Sequence, residues 1–258
     1  PQPRTEKIMI CSEGAHLKPI RHHTQGGDYL NETHYLKRGD PGQKLGVAPA
    51  GFLQVLMTPP LKDGDPSSYW QSPPPPDCKT SLRRLALSKW ITDTQHGAGR
   101  LLARVIVNRL WHHHFGRGIA ATPNDLGFQG ERPTHPELLE FLAAELIRNN
   151  WRLKPIHRLM VTSAAYMQSS RFDEAKSKVD VENHLLWRFN RRRLDAEAIR
   201  DSLFSISGTL DKSLFGAGTL DENSTRRSIY FTVKRSKLIA MLQLFDAPDF
   251  VQSIGSRS

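Results

Sequence analysis

The chain has little cysteine: Cys11 and Cys78 are the only two in 258 residues, and neither sits in a C-x-x-C or C-x-x-C-H pattern. That spacing excludes a thioredoxin-type redox pair and a covalent haem site within this stretch. The two thiols could close one long loop in an oxidising compartment or remain reduced, and the sequence leaves both open. Long hydrophobic runs are also absent. No segment approaches the ~20 apolar residues of a membrane-spanning helix, which excludes such a span. Nor is there a G-x-x-x-x-G-K-[ST] loop, a G-x-G-x-x-G turn, a G-x-S-x-G elbow or an H-E-x-x-H pair. Each gap disfavours a class of chemistry: nucleotide hydrolysis, dinucleotide binding, α/β-hydrolase catalysis and zincin catalysis.

What the chain has is positive charge. Thirty-six Lys plus Arg face 26 Asp plus Glu, for a net +10, and 23 of the 36 are arginine. The guanidinium fork suits carboxylate, sulfate and phosphate partners, and it also braces a fold through internal acids. Basic balance alone is weak support for nucleic acid. A chain of this length buries roughly 70–75% of the surface its unfolded form exposes, so it folds without staples.

Residues 1–80 are rich in turn formers. Lys7–Cys11 and Thr33–Lys37 read as short strands, with Gly39-Asp40-Pro41-Gly42 as a turn. The run Ser72-Pro73-Pro74-Pro75-Pro76 marks a Pro-rich connector, since consecutive prolines donate no backbone hydrogen bonds. From residue 81 onward the hydrophobic period becomes helical. Leu85, Leu87 and Trp90 mark one helix, and a longer one over 97–115, with Leu101, Leu102, Val105, Ile106, Leu110 and Trp111 on a broad apolar face, ends at Gly116 and Gly118. Thr134-His135-Pro136-Glu137 has the form of a capping box before Leu138, Phe141, Leu142 and Leu146. The period continues through Ile156, Leu159, Met160, Ala164 and Met167. Another helix follows a cap at Asp195 and stops at Gly208; Ser228–Val233 reads as a strand and Lys237–Phe245 as a last helix. The expectation is a mainly α, multi-helix domain over 81–258 behind a small β-containing segment over 1–80.

Two polar constellations stand out. The first runs from Asn108 to His135 and includes Arg109, Trp111, His112, His113, His114, Arg117, Asp125 and Glu131. Adjacent histidines on a helix point about 100° apart, so all three cannot serve one ion. A metal would need three or four ligands, which His113 or His114 with Asp125, Glu131 or His135 could supply. Imidazoles at a helix C-terminus are also favoured by the dipole and the open carbonyls, without any ion. Capping and packing are the preferred reading, and no metal ligand is assigned. For acid–base work the candidates are His114, Asp125, Glu131 and His135. For ligand contact they are Asn108, Arg109, Trp111 and Arg117 together with Arg191, Arg192 and Arg193. Those three arginines belong to the second constellation, Trp187-Arg188-Phe189-Asn190-Arg191-Arg192-Arg193. Charge interleaved with aromatic rings suits a single-stranded nucleic acid or a sulfated glycan. Asp195, Glu197 and Asp201 follow at once, which also fits an Arg-rich brace between helices.

Several phrases together resemble a known family: Arg84-Leu85-Ala86-Leu87-Ser88-Lys89-Trp90; Val107-Asn108-Arg109-Leu110-Trp111 with His113-His114-Phe115-Gly116-Arg117-Gly118; Gly130-Glu131-Arg132-Pro133-Thr134-His135-Pro136; Asn190-Arg191-Arg192-Arg193-Leu194; and Arg227-Ser228-Ile229-Tyr230. They resemble the C-terminal domain of planctomycete cytochrome-c-type proteins, a domain of unknown function. His112 departs from that pattern, which has Gln there, and this weakens any mechanism using all three histidines. The resemblance implies an exported protein, periplasmic or otherwise extracytoplasmic, in which a c-type haem module and another domain precede this one. Haem c is then expected only in that separate module, with no cofactor in this fragment. The chain is expected to be a piece of a longer protein that stops before a further helical segment. The expected partners are the other domains of the same polypeptide and an acidic or sulfated glycan, and an exported location disfavours nucleic acid. The leading reading is a binding or assembly module facing an anionic polymer or an acidic domain; the alternative is a hydrolase or metal-assisted enzyme using the cluster from Asn108 to His135.

Overall fold

The computed structural model describes residues 33–58, 66–76, 81–234, 237 and 239–245. The expected strand at Lys7–Cys11 and both cysteines lie outside these residues. The chain divides into two compact units, residues 1–102 and 103–258. Its architecture is mainly α, with eight α-helices and one two-stranded sheet among the described residues.

In the first unit, β1 (His34–Leu36) pairs antiparallel with β2 (Lys44–Val47), placing His34 opposite Val47 and Leu36 opposite Lys44. Asp40 shapes the connecting turn by accepting from the Gly42 N–H at 2.9 Å and from the Gln43 side chain at 2.8 Å. The core here is aromatic. Phe52 stacks on Trp90 at 5.3 Å and meets Trp70 edge-on at 5.5 Å. The Trp70 indole N–H donates to Asp93 at 3.0 Å, so the buried ring keeps its polar atom satisfied. Helix α1 (Arg83–Thr92) supplies Trp90 and ends at Asp93. Gly97 then passes so close to the Trp90 carbonyl that any Cβ would collide with it.

The second unit is built on α2 (Gly99–Phe115), α3 (Pro136–Arg148) and α4 (Leu153–Val161). Ala103, Val107, Trp111 and Phe115 recur every four residues on α2 and form one buried stripe. The stripe packs in one core with Leu139, Leu142, Ala143 and Leu146 of α3 and Ile156 and Met160 of α4. The Trp111 and Phe115 rings stack at 3.9 Å. Each large side chain fully buried here contributes about 1.5–3 kcal/mol relative to exposure, so this stripe anchors the unit.

Three helix boundaries differ from the sequence expectation. Helix α3 is capped by His135, not Thr134, with Pro136 in its first turn. Thr134 instead donates both its N–H, at 2.9 Å, and its hydroxyl, at 3.3 Å, to the Ile119 carbonyl. The period from Ile156 to Met167 breaks at Thr162-Ser163 into α4 and α5 (Ala164–Met167) because the Ser163 hydroxyl accepts from the Tyr166 N–H at 3.2 Å and starts a new helix. The expected last helix is shorter, α8 (Ala240–Leu244). Between these lie α6 (Glu174–Val179), capped by Asp173, and α7 (Ala196–Ile206), which ends at Gly208 with φ +76°. The strand expected at Ser228–Val233 is a 3-10 turn over Ser228–Tyr230 followed by a single bridge from Phe231 to Thr219. Its first N–H and hydroxyl both donate to Asp201, at 2.8 and 2.7 Å, so the backbone is turned towards a side chain rather than a ladder. No helix among the described residues is long and apolar enough to cross a membrane.

Candidate functional site

Helix α2 delivers the first constellation. Asn108, one turn before Trp111 on the buried side, is fully enclosed. Its amide donates to the Ala120 carbonyl and accepts from the Ala120 N–H, both at 2.9 Å. This two-way bond copies a strand pairing and pulls the loop after α2 back onto the helix. Gly118 makes the approach possible, since a Cβ there would collide with the Ala120 carbonyl and lie 2.9 Å from the Asn108 amide nitrogen. Asn108 and Trp111 therefore hold the site together from behind, as buried anchors. Arg109 lies outside, donating to Asn124 at 3.2 Å.

Arg117 lines a small cleft with room for roughly one water molecule once the space open to solvent is left out. Its floor is Trp111, Phe115, Ile119 and Leu186, and its polar lining comes from Arg117, Thr134, His135, Asn183, His184 and Asn190. Arg117 is the hub. It meets Glu131 at 3.1 Å, Glu182 at 3.5 Å and the His184 ring at 2.7 Å. Glu182 also meets His184 at 2.7 Å, and this histidine, followed by Arg117, holds the Glu182 carboxyl below its usual range. Both glutamates are exposed, at 59% and 70%, which places these ion pairs in high dielectric. Asn183 is buried, donates to the Arg188 carbonyl at 2.7 Å and to Asn190 at 2.8 Å, and so fixes the far wall.

The four acid–base candidates do not gather at one point. His135 lines the cleft and bonds the Thr134 hydroxyl at 2.9 Å. Glu131 reaches the cleft only through Arg117. Asp125 closes its own turn by accepting from the Gly127 N–H at 2.8 Å. His114 does not line the cleft; it pairs with His157 on α4 at 2.8 Å and meets the Tyr166 ring edge. Burial lowers the pKa of His114, reinforced by the neighbouring His157, Arg192 and His113. Among the described residues no three His, Cys, Asp and Glu side chains come together as metal ligands would.

The second constellation lies on the irregular segment that runs from Asn190, in the cleft wall, to the start of α7. Arg191, Arg192 and Arg193 are all exposed. The Arg192 guanidinium donates to the His113 carbonyl in the last turn of α2, where the helix dipole favours a cation. Arg193 faces the Phe245 ring at 5.9 Å. Arg191 makes no hydrogen bond or ion pair among the described residues. Next to them, the Arg188 guanidinium lies against both Phe172 and Trp187, 5.4 and 4.8 Å from their ring centres, and the two rings meet edge-on at 6.0 Å.

Several residues that organise this region carried no sequence signal strong enough to single them out. Arg200 is 1% exposed and lies between the Phe204 and Phe231 rings, donating to the Arg226 and Ser224 carbonyls and to the Ser228 hydroxyl. Its spacing of four from buried Ala196 on α7 is the one hint. His157, Glu182, Asn183 and His184 were also missed. Asn183 has φ +57°, a backbone state that asparagine tolerates better than most residues, but nothing in the sequence demands it there.

The family model described as "Protein of unknown function (DUF1553)" matches residues 83–258. No curated protein and no solved structure matches the chain. With more than half of its length matched, including α1 to α8, the cleft and the arginine segment, the chain belongs to the DUF1553 family.

Proposed function

We propose that this domain is a binding or assembly module that holds an anionic polymer, an acidic or sulfated glycan, in an extracytoplasmic protein associated with a c-type cytochrome. One observation carries the reading: three consecutive exposed arginines outside any helix or strand, one of them with no hydrogen-bond or ion-pair partner among the described residues, directly after Asn190 in the cleft wall. Consecutive exposed cations spread positive charge along the chain, which suits the repeating anions of a linear polymer better than a point charge. Planar guanidinium forks match carboxylate and sulfate oxygens pairwise.

The hydrolase reading has less support. General acid–base work needs two titratable groups at one bond, and His114 and Asp125 are each held away from the cleft by other partners. The binding reading is tested by retention on heparin and polygalacturonate resins at low salt. Wild-type protein is expected to bind and to elute as salt rises, and Arg191→Ala with Arg192→Ala is expected to elute far earlier. Elution of the double variant with the wild type overturns the assignment to this segment. Retention by neither resin, with capture of an acidic domain of the same polypeptide, moves the partner from glycan to protein.

A further inference from the structure

We infer that the arginine segment takes up its anionic polymer together with protons, which enter the cluster of His113, His114 and His157 beside Arg192. This inference rests on the polymer-binding reading and adds to it the pH range in which the grip is strongest. His113 and His114 come from the last turn of α2, His157 from α4, and Arg192 from the segment after the cleft wall. Arg192 is fixed over the helix end by its bond to the His113 carbonyl. His113 and Arg192 are exposed, and His114 and His157 are half-buried.

The groups that face His114 include no carboxylate. His157 bonds it at 2.8 Å, the Tyr166 ring of α5 meets it edge-on at 5.9 Å, and Arg192 and His113 act on it as like charges. On α2 the His112 ring meets that of His113 at 5.7 Å, and on α4 Lys154 and Arg158 near His157 are exposed cations. Among the described residues no acid makes a hydrogen bond or ion pair with His113, His114, His157 or Arg192. The His114–His157 bond joins two ring nitrogens, so one donates and the other accepts. The pair keeps this bond with one extra proton, whereas a second sets N–H against N–H. Burial, then His157, Arg192 and His113, oppose a proton on His114. A polymer anion held by Arg192 offsets part of that opposition. By reciprocity, a ligand that favours the protonated cluster is bound more tightly as protons become available. Arginine alone gives no such dependence, since guanidinium keeps its charge throughout.

The test follows binding of heparin, whose sulfates stay ionised throughout, to the full chain at fixed salt between about pH 7.5 and 5.5. Wild type is expected to bind about five- to tenfold more tightly at the acid end. His114→Gln with His157→Gln removes both titrating rings of the pair and is expected to leave about a twofold change or less. His34→Gln, in the first unit, is expected to keep the wild-type profile. Should the pair variant fail to fold, His113→Gln alters only an exposed ring and is expected to flatten the profile by about half. Calorimetry in two buffers of different ionisation enthalpy is expected to show net proton uptake on binding by wild type and little by the pair variant. Heparin binding that is indifferent to pH overturns the inference and leaves the polymer reading standing. A pair variant, or a folded His113→Gln protein, with the wild-type profile does the same. Absence of heparin binding across the whole range overturns both, as does undiminished affinity in Arg191→Ala with Arg192→Ala.

Discussion

Replacing Asn108 by alanine is expected to destabilise the second unit more than any surface change near the cleft. The side chain is fully buried and makes two bonds of 2.9 Å to the backbone of Ala120, itself buried. Truncation leaves one N–H and one C=O enclosed without partners, and each such group costs about 1–3 kcal/mol. The expected loss is therefore about 2–6 kcal/mol, or roughly 4–24 °C in Tm for a unit of this size. Asn108→Asp sharpens the test. It retains the acceptor for the Ala120 N–H but sets a buried carboxylate against the Ala120 carbonyl, so it is expected to be no better than alanine despite its shape. Thermal unfolding followed by circular dichroism gives the total, and exchange of the Ala120 amide gives the local part. A loss below 1 kcal/mol with Ala120 exchange unchanged would refute the view that this bond pair holds the loop carrying Arg117.

Gly118→Ala is expected to act on the same loop, because its Cβ collides with the Ala120 carbonyl; a Tm within 1 °C of wild type speaks against that crowding. Arg200→Met takes the guanidinium donor from the half-buried Ser224 and Arg226 carbonyls, while Asp201 keeps its bonds from Ser228, and is expected to lose about 2–4 kcal/mol, with Arg200→Lys giving little rescue because the fork is lost; chemical denaturation reads both. His114 has a folded-state pKa below its ordinary value of about 6.5, chiefly through burial. The unfolded chain then binds more protons, so this contribution to stability is complete above pH ~6.5 and fades as pH falls below it. Tm measured from pH 8 to 5 is expected to fall for wild type and to fall less for His114→Gln; parallel profiles would contradict the assignment.

Much of the fold is legible from periodicity alone. The helices are legible there, but the buried face only in part: on α3 Leu142 and Leu146 are buried while Phe141 is exposed and Leu139 and Ala143 take core places, and on α2 Trp111 is buried while Leu101, Leu102, Val105, Ile106 and Leu110 are only half-buried and Ala103, Val107 and Phe115 complete the stripe. Boundaries were less legible where a single side chain decides them. Ser163 interrupts a continuous apolar period by capping, and Asp201 converts a β-rich run at Ser228 into a turn from 27 positions away. The arginines at 191–193 stand out by their number, yet the acids beside them in sequence are not the partners of Arg191 or Arg192. Nothing local distinguishes Arg200 from a solvated helix arginine until Phe204 and Phe231 enclose it. The cleft was half legible: Arg117, Glu131 and His135 lie in one polar stretch, whereas Glu182 and His184 arrive from more than 50 positions away. His114 and Asp125 were grouped with them by proximity in sequence and are separated by the turns that follow α2.

The most direct measurement is the salt concentration at which the protein leaves a sulfated-polymer resin, compared between two variants of equal net charge. One is Arg191→Ala with Arg192→Ala, and the other is Arg152→Ala with Arg158→Ala, which removes two exposed arginines at the start and on the surface of α4. If the arginine segment holds the polymer, the first variant elutes at much lower salt than wild type and the second stays close to it. Equal shifts in the two variants would mean that binding follows net charge alone, and would contradict a site on this segment.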